Sequence, residues 1–320
     1  SPGNLGGKLT EVGLGFEKFE KLGDETIFEL EITPNRSDCL SIIGVGREIA
    51  AIEKNGIRFP TLKTNLKPTT KILPFEVKTD SKINPRFTGI IISGIKVMES
   101  PFWLRKRLEQ IGQRPINNIV DITNYVMFEL GNPIHAFDYD KISGKIMKVH
   151  QTKGGENFKS VDGISYRLPK NVVVISDNEK IIDLCGIKGG FNTGTFEETK
   201  NIFIRVPVEV PVLIRRASQS LGLRSEASSI FERGVNTGGT IDALKRCVDL
   251  ILEIAGGEIA SNLYDLKKDK FEPWKLNLRL KRLNEALGVE IPVSKVISIL
   301  KSLNLSPRLL KEDIECEIPT

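Results

Sequence analysis

Cysteine and histidine are both scarce in this chain, which limits the chemistry it can support. The 320 residues include four cysteines and two histidines. The cysteines are Cys39, Cys185, Cys247 and Cys316, and no two of them form a C-x-x-C pair. This spacing disfavours the disulfide framework of a small secreted protein and the usual zinc sites. We therefore expect free thiols in a reducing compartment such as the cytoplasm, and no zinc site built from these cysteines.

Long apolar runs and targeting signals are also missing. No apolar stretch reaches the roughly 18 residues that mark a membrane-spanning helix. The first residues, SPGNLGGKLTE, lack the basic start and apolar centre of a signal peptide. We therefore expect no contact with a membrane. The chain starts without methionine and its last residues, ECEIPT, resemble a strand, so we expect a fragment of a longer protein.

Charge of either sign is not in large excess. The net charge is +5, and 27% of the residues are charged. This balance permits contact with nucleic acid but does not indicate it. Basic and aromatic residues are not interleaved along the sequence, which disfavours a generic DNA-binding protein.

The order of the predicted elements indicates an α+β protein with several domains. A length of 320 residues supports two or three of them. Turn residues and hydrophobic spacing predict strands at 26–32, 87–97, 145–150, 172–175, 180–184 and 201–206. Helices are predicted after Ser37 or Asp38, after a Ser100 cap, and at 211–221, 240–255, 280–287 and 292–303. We expect mixed sheets with flanking helices in the centre and a small helical unit at the end.

Two polar segments divide the chain. Residues 61–70 belong to a stretch rich in proline and lysine, without hydrophobic periodicity, and are predicted to be a linker. A charged break at 267–270 precedes a smaller unit. The expected domains are therefore 1–60, 71–266 and 267–320.

One histidine has a sequence setting that could place it in a functional site. His135 follows Gly131-Asn132-Pro133-Ile134, so a turn leads into it. It could face a pocket, or it could simply hydrogen-bond the turn with Asp138 as its partner. Spacing alone favours the structural interpretation. His150, at the end of an apolar strand, is predicted to be structural or exposed.

A glycine-rich segment follows the predicted strand 180–184. In Gly186-Ile187-Lys188-Gly189-Gly190, glycine would let the backbone approach a ligand, and Lys188 could contact a phosphate. The pattern fits neither the dinucleotide-binding nor the P-loop motif. A plain tight turn is the favoured interpretation.

Arginines and small hydroxyl residues are mixed through residues 213–235, LIRRASQSLGLRSEASSIFERGV. Arg215, Arg216 and Arg224 could hold an RNA backbone through salt-sensitive contacts. A solvated helix face would give the same pattern. No G-x-S-x-G sequence surrounds Ser225, so a serine hydrolase is disfavoured.

Four sequence blocks carry a family resemblance. They are EITPNRSD at 31–38, RPINNIVDITNYVMFELGNPIHAFD at 114–138, the pair Gly189-Gly190, and residues 213–235. With these blocks in order, nearly the whole chain resembles the central part of the bacterial phenylalanyl-tRNA synthetase beta subunit. The resemblance implies that 71–266 form a tRNA-editing domain and that 1–60 are part of a discontinuous domain. It also implies that 267–320 begin a winged, DNA-binding-type domain that is truncated here.

The resemblance further implies an editing pocket, which hydrolyses the ester of a wrongly attached amino acid on tRNA. Its matching residues are Asn124, His135 and Ser225 in catalytic roles, and Gly189, Gly190 and Ala227 in substrate binding. His135 would place water or the terminal adenosine, and Ser225 would help by hydrogen bonding. Polar groups in such a site stabilise the developing oxyanion.

One position departs from the family. Where the family has a glutamate that recognises the hydroxyl of tyrosine, this chain has Arg205 in the substrate pocket. Strand alternation places it on the same face as Phe203 and opposite Ile204. A guanidinium can donate to a phenol oxygen but cannot accept its proton. The resemblance therefore implies altered or lost editing.

The resemblance also implies the partners and leaves two functions open. The partners would be the 3′ end of tRNA(Phe) and the synthetase alpha subunit in an α2β2 assembly. ATP and magnesium belong to aminoacylation by the parent enzyme, so no cofactor is expected in this fragment. The open functions are editing of tyrosyl-tRNA(Phe) and a catalytically dead module that positions tRNA. A free-standing hydrolase is disfavoured, because the truncated last unit would be hard to explain.

Overall fold

The computed structural model describes residues 1–319 and confirms an α+β protein. By its internal contacts the chain divides into two compact units. The first consists of Ser1–Thr33, Ile43–Phe59 and the residues from Lys270 onward, and the second of Pro34–Ile42 and Pro60–Asp269. Among the described residues, no helix combines the length and the apolar character needed to cross a membrane.

The N-terminal segments contain two helices and a hairpin: α1 (Pro2–Glu11), β1 (Gly15–Leu22), β2 (Glu25–Glu31) and α2 (Ile42–Glu53). β1 and β2 pair antiparallel with each other, and β2 confirms the strand predicted here. The expected cap of the next helix was wrong. Ser37 and Asp38 lie in a short 3-10 turn, Ser37–Cys39, and the helix begins only at Ile42.

The central part holds most of the elements, which are β3 (Glu76–Lys78), β4 (Arg86–Ser93), α3 (Phe102–Gln110), α4 (Asn118–Leu130), β5 (His135–Asp138), β6 (Ile146–Gln151), β7 (Asn157–Lys159), β8 (Ser165–Arg167), β9 (Val173–Ser176), β10 (Ile181–Leu184), β11 (Lys188–Gly189), β12 (Asn201–Val208), α5 (Pro211–Leu221), α6 (Glu226–Phe231), α7 (Thr240–Ile254), β13 (Glu258–Ile259) and β14 (Tyr264–Lys267). The predicted strands after residue 140 are confirmed to within a residue or two. The predicted helix 211–221 is confirmed at both ends.

Two sheets organise this part of the chain. One has the order β13-β4-β12-β5, with β14 also paired to β4, and the other has the order β11-β10-β9-β6-β3. Alternate residues of β12 separate two cores. Ile204 packs in a core that includes residues of α3, α4 and α7, whereas Phe203 packs in a second core with residues of the other sheet. The first sheet therefore lies between helices on one face and the second sheet on the other.

The region before β5 corrects two expectations. Ser100 does not cap α3; Pro101 takes the cap position, and the Ser100 hydroxyl instead donates to Asp121. The block 114–138 also contains a full helix, α4, that was not predicted. It contributes fully buried Ile119 and Ile122 to the first core.

The C-terminal segment of the first unit is a small α+β arrangement. It contains β15 (Trp274–Arg279), α8 (Leu280–Leu287), α9 (Val293–Ser302), β16 (Arg308–Leu309) and β17 (Asp313–Ile318). The strands form an antiparallel sheet in the order β15-β17-β16. Val296, Ile314 and Cys316 form its buried centre. The two predicted helices and the final strand are confirmed.

Candidate functional site

His135 is delivered to the sheet by the turn that ends α4. Gly131 ends that helix in the left-handed conformation, with φ of 78°, which glycine adopts without strain. The buried side chain of Asn132 then donates to the carbonyl of Asn236 at 3.0 Å. His135 begins β5 and lies directly opposite Arg205 of β12. The turn and the strand register together set the position of the imidazole.

The imidazole is held by packing rather than by hydrogen bonds. It contacts Phe137 edge-on, with ring centroids 4.4 Å apart, and its Nε2 is buried without a hydrogen-bond partner. Burial, together with the nearby charge of Arg205, lowers the pKa of His135 to about 4. The ring is therefore neutral at neutral pH. Neutral imidazole has one nitrogen that accepts a hydrogen bond.

Asp138 is not the partner of His135, and that expectation was wrong. Its carboxylate accepts from the Thr199 hydroxyl at 2.6 Å and lies 3.4 Å from the Lys141 ammonium. An odd separation along a strand puts two side chains on opposite faces. His135 and Asp138 are three positions apart, so the strand itself separates them.

Gly189 ends β11 and Gly190 follows it directly, and a side chain would not fit at either position. A Cβ at Gly189 would lie 2.4 Å from Cε1 of His135, and one at Gly190 would lie 2.5 Å from the carbonyl oxygen of Ile182. The tight turn of the hairpin precedes both glycines, so a plain turn does not account for them. Lys188, the candidate phosphate ligand, instead forms an ion pair with Asp162. Gly189 is therefore the backbone wall against which the imidazole lies.

Arg205 is fully buried and has charged partners that the sequence did not predict. One Nη donates to Glu209 at 2.6 Å, and the other lies 3.8 Å from the carboxylate of Asp183. The guanidinium carbon lies 5.0 Å from the centre of the Phe87 ring. Its Nε is buried without a partner. The arginine is thus neutralised within a buried cluster, and its Nε–H is left without an acceptor.

The carboxylates of this cluster differ in their surroundings. The other carboxylate oxygen of Glu209 accepts from the Asn84 side chain at 3.2 Å, so this group is bonded on both sides. For Asp183, burial raises the pKa to about 7; the charge of Arg205 opposes this rise, and that of Glu209 adds to it. Burial also raises the pKa of the neighbouring Cys185 thiol. Arg205 already supplies the positive charge between the carboxylates, so the cluster is unsuited to a metal cation.

Ser225 has a structural place beside the site. Its hydroxyl accepts from the Ser228 amide at 3.1 Å, which caps α6, and donates to the Ile187 carbonyl at 2.8 Å. Ile187 lies two residues before Gly189. Ala227, in the same helix, is half-buried against a third core. Ser225 thus ties α6 to the turn that leads into β11.

The remaining predicted residues lie outside this cluster. Asn124 is half-buried on α4, and its side chain makes no hydrogen bond to any residue within 1–319. Arg215 and Arg216 are exposed on α5. Arg224 is also exposed, and lies 3.5 Å from Glu232. The structure therefore brings together His135, Gly189 and Arg205, and adds Asp183 and Glu209.

Comparisons with known proteins agree with the sequence blocks and place them in one family. The model of the B3/4 domain family matches residues 83–256, which extend from just before β4 to just beyond α7. A phenylalanine–tRNA ligase beta subunit from Carboxydothermus hydrogenoformans is 38% identical over 310 residues, covering 97% of this chain and 38% of that protein. One from Dehalococcoides mccartyi is 41% identical over 279 residues, covering 87% of this chain and 34% of that protein.

The chain spans less than two fifths of the length of these relatives. Among solved structures, an N-terminal fragment of the phenylalanyl-tRNA synthetase beta subunit from Pyrococcus horikoshii aligns with all of this chain and 88% of that chain. Its identity is 16% and the TM-score is 0.47. The resemblance found in the sequence blocks is confirmed: this chain belongs to the B3/4 domain family and is similar, over almost its whole length, to phenylalanine–tRNA ligase beta subunits.

Proposed function

We propose that this chain carries the editing site of a phenylalanine–tRNA ligase beta subunit and hydrolyses tyrosine wrongly attached to tRNA(Phe). The observation that carries the proposal is the pair of buried, unpaired nitrogens on His135 and Arg205, next to Gly189. A buried polar atom without a partner costs about 1–3 kcal/mol. A polar ligand group that reached both atoms would remove this cost.

The two nitrogens have complementary hydrogen-bonding roles. Arg205 Nε carries a hydrogen and can only donate, whereas the neutral His135 ring can accept at Nε2. A hydroxyl group satisfies both, since its oxygen accepts from Arg205 and its hydrogen is donated to His135. The phenol of tyrosine has such a group and phenylalanine does not. Arg205 and His135 together therefore replace the single acidic residue of the family in recognising tyrosine.

The reaction needs little from the protein beyond placing the ester and the attacking water. Water attacks the carbonyl carbon of the ester, the bond to the ribose oxygen breaks, and that oxygen takes up a proton. The products are free tyrosine and uncharged tRNA. A neighbouring ribose hydroxyl can assist the proton transfer, so no nucleophilic side chain is required. This explains why Ser225, whose hydroxyl is already used by the backbone, is compatible with hydrolysis.

Selectivity follows from leaving polar groups unpaired. An apolar pocket rejects an added hydroxyl by only about a hundredfold, so a synthetase that selects phenylalanine needs a second check. A site that pairs its buried groups with a hydroxyl rejects phenylalanine strongly, because both nitrogens stay unsatisfied. The site therefore removes tyrosine and spares the correct product.

The rest of the proposal concerns the RNA ligand and the partner subunit. The ligand is the aminoacylated 3′ end of tRNA(Phe), with Arg215, Arg216 and Arg224 as exposed cations for the RNA backbone. The alpha subunit, in an α2β2 assembly in the cytoplasm, carries aminoacylation with ATP and magnesium. The sequence resemblance also assigns Asn124 to the pocket, and its half-buried amide on α4 lies outside the His135–Arg205 cluster.

A second candidate is a catalytically dead module that positions tRNA. Two observations favour it: Arg205 is neutralised by Glu209 and Asp183, and the imidazole lies against the backbone of Gly189. In that case the cluster is a closed, structural one. The two functions predict different results: an editing site hydrolyses tyrosyl-tRNA(Phe), and a dead module does not.

The deciding experiment compares hydrolysis of tyrosyl-tRNA(Phe) and phenylalanyl-tRNA(Phe) by the wild-type chain, His135→Ala and the matched control His150→Ala. We expect the wild type and the control to hydrolyse the tyrosyl ester preferentially. In His135→Ala the preference should fall by roughly 10- to 100-fold, which is the cost of one lost buried hydrogen bond. Folded wild-type protein that hydrolyses neither ester, also with the alpha subunit added, would support the dead module instead.

A further inference from the structure

Two exposed phenylalanines lie beside the candidate site. Phe191 and Phe196 each expose 39% of their surface, and their ring centroids are 6.2 Å apart. Both belong to the loop between β11 and β12. Phe191 is two residues from Gly189, so their Cα atoms are at most about 7 Å apart. The pair of rings is therefore an exposed aromatic surface close along the chain to Gly189, against which the imidazole of His135 lies.

A lysine lies over each ring. The Lys159 ammonium is 4.6 Å from the centre of Phe191, and the Lys141 ammonium is 4.9 Å from the centre of Phe196. Glu198 lies 2.8 Å from Lys141 and compensates its charge. Lys159 is exposed and forms no ion pair within the described part of the chain. The surface therefore combines two aromatic faces with one uncompensated cation.

The backbone holds these groups next to Gly189. Lys159 ends β7, the first strand of the β7–β8 hairpin. Directly after it, Ser160 forms a bridge with Gly190, and the Val161 amide donates to the Gly189 carbonyl at 2.9 Å. The lysine, the ring of Phe191 and the wall of the site are thus parts of one local framework.

We propose that Phe191, Phe196 and Lys159 bind the unpaired 3′ end of an RNA strand, a proposal that rests on the function proposed above. The terminal base stacks on Phe191, and Lys159 moves from the ring to the neighbouring phosphate. Aromatic side chains bind bases in this sequence-tolerant way, and a lysine close by neutralises the backbone. A base stacked there places its ribose, and the ester attached to it, toward Gly189 and His135.

The charges around the rings favour a single strand over a duplex. Glu197 and Glu198 directly follow Phe196 and are exposed. Because Glu198 is compensated by Lys141, Glu197 is the charge that repels a second row of phosphates, while Lys159 serves one row. The occupant is therefore one unpaired strand, and a duplex is the comparison that tests this point.

The experiment measures binding of a 5′-labelled RNA tetranucleotide, ACCA, by fluorescence anisotropy at low salt, with the whole 320-residue chain. We expect Phe191→Ala to weaken binding by about tenfold, since stacking contributes roughly 1–3 kcal/mol per base. Phe102→Ala is the matched control, because that ring is 72% exposed elsewhere in the same unit. Lys159→Ala should reduce the dependence of the binding constant on salt by about one counterion. A blunt RNA duplex should bind more weakly than ACCA.

Failure of this proposal is distinguishable from failure of the proposed hydrolysis. Loss of affinity in Phe191→Ala, together with no ester hydrolysis by the wild type, would leave the RNA platform in place and remove the editing function. Equal binding by the wild type, Phe191→Ala and Phe102→Ala would overturn the platform, even if tyrosyl-tRNA is hydrolysed. No detectable binding of ACCA by the wild type, or equally tight binding of the duplex, would also overturn it.

Discussion

His135 and Arg205 face each other across the β5–β12 ladder, and each has a buried nitrogen without a partner. The two residues are otherwise held differently. The imidazole rests on Phe137 and Gly189, while the guanidinium is fixed by Glu209 and Asp183. One side chain is placed by packing and the other by charge. This difference determines how each responds to substitution and to pH.

Replacing Arg205 with glutamate should destabilise the protein, because buried carboxylates would then lack a cation. Arg205→Glu would put a third carboxylate beside Asp183 and Glu209, all of them buried. Breaking a buried ion pair costs about 3–5 kcal/mol, because a charge is left without compensation. We expect a loss of this size in the free energy of unfolding, measured with urea. Arg224→Glu, at an exposed position, should change it by less than about 1 kcal/mol.

A charge exchange provides the control for this prediction. Arg205→Glu combined with Glu209→Arg keeps one cation between two carboxylates, so part of the lost stability should return. The prediction fails if Arg205→Glu alone is as stable as the wild type. It also fails if the exchange is no better than the single variant.

The stability of the protein should respond to pH through two buried groups with opposite signs. His135 has a pKa of about 4 when folded, against an ordinary value of 6.5. Between these two values His135 binds a proton in the unfolded chain but not in the folded protein, so stability falls as pH falls. Asp183 has a folded pKa of about 7, against an ordinary 3.8. Between these two values Asp183 keeps a proton in the folded protein that it loses in the unfolded chain, so stability rises as pH falls.

These opposing effects should nearly cancel in the wild type between pH 6.5 and 4 and appear separately in variants. Relative to the wild type, His135→Gln should gain stability as pH is lowered through this window, and Asp183→Asn should lose it, each by about 1 kcal/mol per pH unit. Urea unfolding at several pH values measures both slopes. The exposed His150→Gln is the control and should parallel the wild type. Parallel curves for all four proteins would contradict the assignment.

Local patterns predicted several of the strands, although the one expected at 87–97 ends at Ser93. They did not predict the partners across the strands. The alternation in β12 put Arg205 on the Phe203 side and opposite Ile204, and the two cores confirm this. Glu209 could have been found, because residues four apart on an extended strand share a face. Asp183 could not, since its approach to Arg205 depends on how two separate sheets pack.

The missed helix α4 has a different cause. Asn117, Asn118 and Asn124 lower its helix propensity, and Pro115 precedes it, so local signals indicated a turn. In the structure Asn117 caps the helix by accepting from two backbone amides, and Ile119 and Ile122 are buried. Tertiary burial therefore outweighs the weak intrinsic preference of this segment.

The contact between Gly189 and the imidazole should not tolerate even one methyl group. In Gly189→Ala the new Cβ would lie 2.4 Å from His135 Cε1, so the ring or the strand must move. Overpacking of this kind costs about 1–3 kcal/mol, and a displaced ring should lower tyrosyl-tRNA hydrolysis at least about tenfold. Gly56→Ala, where no atom lies within 4 Å of the added Cβ, should leave both measurements unchanged. Wild-type hydrolysis in Gly189→Ala would show that the imidazole position does not matter.

Ser225 should act through structure, and its substitution can separate that role from a catalytic one. Ser225→Ala removes the cap of α6 and the bond to Ile187, for an expected loss of about 1–2 kcal/mol in the free energy of unfolding. Ser225→Thr keeps a hydroxyl for both bonds and should recover most of it. Ser220→Ala, which removes an exposed hydroxyl bonded within α5, is the control. If Ser225→Ala were as stable as the wild type yet lost hydrolysis, the serine would instead act on the bound substrate, because its structural role would then be dispensable.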